Sequence, residues 1–487
     1  MNLMTLIDAL PEKTVHGDPG VDITEIEFDS RRVGGGALFV CLEGLASDGH
    51  DFAAAAVRSG AAALVVNRLV PGAGEPPQIL VADTREALAR LAAAFEGYPA
   101  RSLEVLGATG TNGKTTVTQL LAAIGTAAGR PTDVFGTLGN TLGGQTRGTR
   151  FTTPEAPRVQ RLLHDAAEGG ARWVAMEVSS HALAQRRVFG LDFSAVVFTN
   201  LTRDHLDYHG TLDAYREAKT RLFTPEGRGS DRPAVAVLNL EDPTGRSLFE
   251  TVLDPKAGYG FGAEAAYRAV DLDPSPRGTA FLLETPRGGV EVGLPLVGRF
   301  NVLNALAAAA VAVEWGAELT AVKRGLESVT RVPGRMDVAV ETPFAVIVDY
   351  AHTPDALEAA LTAVREFTPG RVLLVFGCGG DRDRGKRPEM AAAAERGADA
   401  VWVTSDNPRT EDPEMILDEI LTGASARAAF RRDADRRAAI RGALEAAAAG
   451  DTVLIAGKGH ETVQIMGTEE RPFDDRAVAR EILGRID

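Results

Sequence analysis

Hydrophobic residues along this chain fall into short continuous runs, separated by longer stretches with helical periodicity. In the first hundred residues, Ala37 to Leu42, Ala63 to Val66 and Ile79 to Val81 read as strands, and Asp51 to Ser59 and Arg85 to Phe95 as helices. That alternation predicts a small α/β unit ending near Pro99, with Pro71 to Pro77 as a surface loop. An apolar run (Leu103, Val105, Leu106) and a helical pattern (Val117, Leu120, Leu121, Ile124) open the next region. There Ala171 to Val178, Ala195 to Thr199 and Val235 to Leu240 predict strands, and Leu212 to Phe223 a helix. An Ala-rich helix carrying Asn301 and Asn304 runs toward Trp315. Gly136 to Gly148 is glycine-rich and polar, and reads either as a mobile substrate loop or as a connector.

Arg331 to Asp337 breaks the periodicity and marks a boundary. Beyond it come strand Ala345 to Val348, helix Pro354 to Phe367, strand Val372 to Phe376, helix Lys386 to Arg396, strand Ala400 to Thr404, helix Pro413 to Leu421 and strand Thr452 to Ile455. The expected fold class is therefore α/β in three domains, spanning 1–100, 101–332 and 333–487, the last a doubly wound, Rossmann-like sheet. The length of 487 residues suits about three cores. A hydrophobic content of 45% with 24% charged residues excludes disorder. The net charge of −15 excludes general attraction to nucleic acid or to an anionic membrane, so anionic ligands must be held by local sites. Cys41 and Cys378 show no metal-ligand spacing, and neither a signal peptide nor a membrane-length apolar run is visible. A cytoplasmic location is expected.

The strongest chemical signal lies between the strand at Val105 and the helix at Val117. Gly107, Gly110 and Gly113 allow backbone N–H groups to converge on phosphate oxygens at a helix N-terminus. Lys114 would reach the β/γ-phosphates and Thr115 a Mg²⁺ ion, the arrangement of a P-loop domain, although Ala108 replaces the first glycine of that pattern. Glu177 ends a strand parallel to the P-loop strand, a placement suited to a metal. Asn200 to Gly210 packs two histidines, two aspartates and an arginine into one loop, which points to a metal or phosphate role. Lys219, read from its neighbours alone, is a surface lysine. Asp29 to Arg32 with Gly34 to Gly36 is either a nucleotide loop or a solvated turn. In the last third, Asp349 to His352, Gly379 to Arg384, Asp406 to Arg409 and Gly457 to Glu461 all follow strand C-termini, the ligand edge of an open α/β sheet.

Six segments carry a family resemblance: Gly110-Thr-Asn-Gly-Lys-Thr-Thr116, Glu177-Val-Ser-Ser-His181, Thr199 to Gly210, Pro333-Gly-Arg-Met336, Asp349-Tyr-Ala-His352 and Asp406-Asn-Pro-Arg409. Over essentially its whole length the chain resembles the Mur ligases of peptidoglycan synthesis, most closely those that add the third residue of the stem peptide. The resemblance implies UDP-binding, ATP-binding and amino-acid-binding domains, with ATP and Mg²⁺ as cofactors. By similarity Gly110, Thr111, Asn112, Gly113, Lys114, Thr115, Thr116, Asn301, Arg335 and Asp349 would hold ATP. Ser30, Thr152, Thr153, Ser179, Gln185 and Arg187 would hold UDP-N-acetylmuramoyl-L-alanyl-D-glutamate. Arg382, Asp406, Asn407, Pro408, Arg409, Gly457 and Glu461 would bind the incoming amino acid, meso-diaminopimelate.

Lys114, Lys219, Glu177 and His205 would be catalytic, and Thr115, Glu177, His205 and a carbamylated Lys219 would surround the metal. Two positions depart from the family pattern: Phe151 precedes Thr152 where a polar residue is expected, and Leu45 lies where the uridine loop would offer a histidine. A monomeric ATP-dependent ligase is expected, working through an acyl phosphate. The alternatives are ligation of L-lysine, a folylpolyglutamate synthase-like ligase, and a P-loop switch or motor protein that hydrolyses nucleotide without forming an amide.

Overall fold

The computed structural model describes residues 1–44, 47–253, 255–275, 277–425 and 429–484; Leu45 lies outside them. Three sheets follow one another along the chain. The first has five strands in the order Thr14–His16, Gln78–Leu80, Ala61–Val66, Ala37–Val40, Glu25–Glu27, parallel except for the first pair. Leu38, Val40, Ala63, Val65 and Ile79 give it a fully buried face against helix Thr84–Phe95.

The second sheet has eleven strands. Its centre is the parallel trio Ala195–Phe198, Glu104–Thr109 and Trp173–Glu177, with Phe198 opposite Thr109 and Glu177 opposite Ala108. All three strands are apolar on both faces, as a sheet covered on both sides requires. Because they run in parallel, the loop after each opens on one edge. The chain crosses to opposite sides of the P-loop strand to build its two neighbours, so that edge is a topological switch point.

The Gly136 to Gly148 stretch is neither a loose loop nor a plain connector. It forms strands Gly139–Leu142 and Gln145–Arg147, an antiparallel extension of Thr132–Gly136. Its polar side chains hid it because the outermost strand is exposed along its whole length. Strands Tyr267–Ser275, Gly278–Thr285 and Gly288–Leu294 close the opposite edge and were also outside the sequence reading.

The third sheet has six strands in the order Asp337–Val340, Ala345–Asp349, Thr452–Ala456, Val372–Phe376, Ala400–Val403, Ala429–Arg432, parallel except for the first pair. Its edge carrying residues 349–352, 377–384, 404–409 and 457–461 faces the P-loop edge of the central sheet. Among the described residues no helix is long and apolar enough to cross a membrane.

The P-loop helix Lys114–Ala127 is held by the Ala-rich helix Arg299–Glu314 and by Leu319–Ser328. The closest approach is at Gly325, where a Cβ would lie 2.4 Å from the Ile124 Cα. Gly325→Ala therefore forces backbone apart. We expect it to destabilise the central domain by about 1–3 kcal/mol despite alanine's better helix propensity, measured as a lower denaturant midpoint; an unchanged or higher midpoint would refute this packing.

Candidate functional site

The glycine turn after Thr109 is pinned from the neighbouring strand. Thr199 Oγ1 donates to the Asn112 carbonyl at 2.6 Å, and the Asn112 N–H donates to Asn200 Oδ1 at 2.8 Å. Gly110 at φ 148° and Gly113 at φ 90° lie where a side chain would be strained, and a Cβ on Gly110 would overlap Thr199 Oγ1.

Lys114 Nζ folds back onto the Gly110 and Thr111 carbonyls, both at 2.8 Å. Lys219 is not a surface lysine. Only 1% exposed, it donates to the same Gly110 carbonyl at 2.7 Å and lies over the Tyr215 ring. Burial pushes both amines down, Lys219 well below its ordinary range; Arg335 adds to the lowering at Lys114 and Lys114 to that at Lys219, while Glu177 and Asp204 at Lys114 and Asp204 at Lys219 act the other way.

Around this pair, Glu177 accepts from the Thr137 N–H and hydroxyl. His205, N-cap of a short helix at φ 54°, has a partly exposed side chain and packs edge-on against His181; burial lowers its pKa, with His181, His352 and Lys114 adding to the lowering and Asp204 opposing it. Asp204 carries a carboxylate held well below its usual range by His352, which approaches from the C-terminal sheet at 3.6 Å. Arg335 stacks on Tyr350 and points Nη2 at Thr115 Oγ1, 3.5 Å away. Among the described residues, the one cluster of three His, Cys, Asp or Glu donors is Glu43, Asp48 and His50 in the first sheet, and Arg68 pairs with both acids there. The expected metal set at Thr115, Glu177, His205 and Lys219 thus gains a second carboxylate only if Lys219 is carbamylated.

A cleft of about 220 Å³ continues from Asn112, Gly113 and Thr116 to Asn239, Asn304, Arg335, Asp349 and Tyr350. Asn304 lines it. Asn301 does not: its amide, buried one helical turn earlier, donates to Val297 O and accepts from Asn304. Asp349 accepts from the Met336 and Ala351 N–H groups, fixing the interdomain linker against the cleft.

Beside Glu177 the structure gathers Thr152, Thr153, Ser179, Gln185 and Arg187. Arg187 donates to the Thr153 carbonyl and to Gln185 Oε1, pairs with Glu155, and lies over Phe151. The Thr153 hydroxyl is spent internally, donating to Glu177 O and accepting from the Ser179 N–H. Ser30 stays with the first sheet, near a cleft of about 550 Å³ between the first and second sheets that Arg32, Asn140, Phe151 and Glu155 line.

The remaining expected residues meet at the edge of the third sheet. Arg409, in the left-handed region at φ 52°, donates to Gly380 O at 2.8 Å. Among the described residues no carboxylate is within ion-pair distance of Arg409 or Arg382. Asp406 is buried against Gly457, and Pro408 O packs where a Cβ on Gly380 would fall. Asn407 is fully engaged: its oxygen accepts from Lys458 Nζ and the Ile465 N–H, and its nitrogen donates to Glu461.

Lys458, absent from the sequence-derived site, is the residue that joins these parts. Its fully buried ammonium donates to Asn407, Glu461 and the Val463 carbonyl. The hairpin it anchors, Val463–Met466 with Glu469–Pro472, brackets the Arg409 backbone through Arg409 N to Ile465 O and Gly467 N to Arg409 O. Its place in the Gly457 to Glu461 cluster was the available signal.

A phosphate-type glycine cradle, two desolvated lysines and a cleft completed by a second sheet define a P-loop protein with a composite site. Comparison with known proteins agrees along the chain. The Mur ligase family, catalytic domain, matches residues 22–96; the Mur ligase middle domain matches 108–312; and the Mur ligase, glutamate ligase domain, matches 334–459. A UDP-N-acetylmuramoyl-L-alanyl-D-glutamate--2,6-diaminopimelate ligase of Geobacillus thermodenitrificans is 47% identical over 484 residues, covering 99% of each chain. A solved structure of an enzyme of that name is 36% identical with a TM-score of 0.70, covering 99% of this chain and 98% of that one. A Mycobacterium tuberculosis folylpolyglutamate synthase shares the fold at 21% identity and TM-score 0.63, covering 83% of this chain and 95% of that one. The chain belongs to the Mur ligase family.

Removing the Lys458 ammonium takes one donor each from Asn407 Oδ1, Glu461 and the Val463 carbonyl. Lys458→Met is expected to destabilise the C-terminal domain by about 1–3 kcal/mol and to raise amide exchange across Val463 to Pro472. Unchanged protection of that hairpin would show that Lys458 does not anchor it.

Proposed function

We propose that this enzyme joins meso-diaminopimelate to UDP-N-acetylmuramoyl-L-alanyl-D-glutamate with ATP, forming an amide through an acyl phosphate in cytoplasmic peptidoglycan precursor synthesis. The observation that carries the reading is the convergence of Lys114 and Lys219 on the Gly110 carbonyl with neither, among the described residues, ion-paired with a carboxylate. Two desolvated amines so placed call for anions, and a nucleotide phosphate and a carbamate supply them.

In this reading residues 1–100 bind the uridine nucleotide, 101–332 ATP, and 333–487 the amino acid. The cradle from Gly110 to Thr116 holds the phosphates, with Lys114 on the β/γ oxygens. Asn304, Arg335 and Asp349 border the rest of ATP, and Arg187 with Gln185 and Ser179 holds the peptide end of the sugar substrate. The uncharged amine of Lys219 adds to the carbon of CO₂ and loses a proton, becoming a carboxylate. The donor set then suits a hard cation: Thr115, Glu177, His205 and modified Lys219 would hold Mg²⁺, which when bound neutralises phosphate charge. Lys114 steadies the γ-phosphoryl as it passes to a D-glutamate carboxylate oxygen, the bond from the γ-phosphorus to the bridging oxygen breaking and ADP leaving. The amine of the incoming amino acid then attacks the carbonyl carbon, a C–N bond forms, and phosphate leaves. Closure of the third domain excludes water from this step.

For Lys219, the expectation is that Lys219→Ala loses nearly all activity and that a short carboxylic acid restores part of it by standing in for the carbamate. Full activity without rescue would remove Lys219 from the reaction.

The choice of amino acid rests on Arg409. Diaminopimelate offers a distal carboxylate that a guanidinium meets with paired hydrogen bonds, and L-lysine does not. A half-buried arginine left without its anion is costly, so discrimination could reach the order of 10⁴. ADP release and amide formation should require both the muramoyl dipeptide and diaminopimelate, with the preference over lysine collapsing in Arg409→Ala. Nucleotide hydrolysis without amide would favour a switch or motor protein, and comparable use of L-lysine by the unmutated enzyme would refute the assignment.

A further inference from the structure

Arg203 follows strand Ala195–Phe198 and immediately precedes Asp204 and His205, yet its guanidinium is taken up by the C-terminal domain. Nε and Nη2 donate to the two carboxylate oxygens of Asp383 at 3.1 and 3.4 Å, and Nη1 donates to Glu389 at 2.7 Å. Asp383 is the residue after Arg382 in the amino-acid loop, and Glu389 lies in the first turn of helix Lys386–Gly397. The other charged contacts that cross this boundary at the cleft are longer: Asp204 to His352 at 3.6 Å and Arg335 to Thr115 at 3.5 Å. Arg203 therefore makes the tightest polar link between the loop at the phosphates and the loop at the amino acid.

A second observation stands apart from the charges. A Cβ at Gly385 would lie 2.4 Å from Arg203 Nη2. Gly385 has φ −63° and ψ −24°, a conformation open to any residue, so its backbone does not ask for glycine. The missing side chain makes room for the guanidinium.

We propose that Arg203 is a positioning residue that latches the two halves of the site together, so that the acyl phosphate meets the amine rather than water. The proposal rests on the ligase reading above. Two reactions compete for the acyl phosphate. In one, the amine nitrogen forms a C–N bond, phosphate leaves, and a proton is released. In the other, water forms a C–O bond, phosphate leaves, and the original carboxylate returns, so ATP is consumed without product. A loop displaced by an ångström slows the first and admits the second.

The test uses the full chain with the muramoyl dipeptide, ATP, Mg²⁺ and diaminopimelate, and measures ADP and amide in the same reaction for wild type, Arg203→Ala, Arg203→Lys and Gly385→Ala. Wild type should give one ADP per amide. Arg203→Ala and Gly385→Ala should raise that ratio and raise KM for diaminopimelate roughly tenfold, with KM for ATP little changed, and Arg203→Lys should fall between. Gly385→Ala keeps every charge and suits the helix start, so it separates loss of the latch from loss of the fold. A ratio near one with unchanged KM for diaminopimelate in both variants would overturn the latch. Equal rises in both KM values at a ratio of one would also overturn it, as the mark of a general structural role. Wild-type enzyme that makes no amide would overturn the ligase reading, and the latch with it.

Discussion

Two lysines share one backbone carbonyl at the end of a buried strand, and much of the architecture follows from that crowding. Among the described residues neither Lys114 nor Lys219 is ion-paired with a carboxylate; Lys114 donates to two carbonyl oxygens, and Lys219 donates to one and lies over the Tyr215 ring, Lys219 fully and Lys114 half buried. Two cations so held repel, and the repulsion is relieved by loss of a proton or arrival of an anion. The strand brings Gly110 to the sheet edge, the helix starting at Lys114 turns that lysine back over the turn, and helix Leu212–Thr220 brings in Lys219 from the other side. Each element is tightly backed: Gly110 by Thr199, and the P-loop helix by Gly325 at backbone contact. The rigidity is what keeps two like charges from drifting apart.

The amino-acid end has a similar logic with the signs separated. Lys458 is buried with Asn407 and Glu461 around it, so its charge is answered within the protein. Arg409 and Arg382 donate to backbone carbonyls, and among the described residues no carboxylate lies within ion-pair distance of either. A site that satisfies one cation internally and leaves two guanidiniums to the cleft is pre-arranged for an external carboxylate. Asn407 and Lys458 act on the ligand by holding the hairpin and the Arg409 backbone in place.

Parallel strands were legible in the sequence because they are continuous apolar runs followed by polar turns; Trp173–Glu177 and Val372–Phe376 are examples. Every glycine-rich or charged cluster after such a run lies at a sheet's ligand edge, so the P-loop and the Asp406 to Arg409 box could be read directly. The antiparallel edge strands could not, since Gln145–Arg147 is fully exposed and Tyr267–Ser275 loses its alternation toward solvent. Lys219 shows the limit for single residues: its helix is polar on most faces, and only the tertiary fold reveals that the one lysine on it points inward. Asn301 and Asn304 differ by three positions on one helix, and sequence spacing alone does not say which of them meets the cleft.

Net charge and local charge pull in opposite directions here. A chain with a formal charge of −15 repels polyanions at a distance, yet Lys114, Lys219 and Arg335 gather around the glycine turn, and Arg409 and Arg382 at the loops of the third sheet. Long-range steering therefore does not supply the affinity for anionic ligands. Short-range contacts do, and at a few ångströms within a partly dry cleft they outweigh a field that salt screens over about 8–10 Å. This arrangement also explains the division into facing sheets. Lys114 and Lys219 crowd one edge and Arg409 and Arg382 belong to the other, so the two groups need be brought together and dried only when anions lie between them.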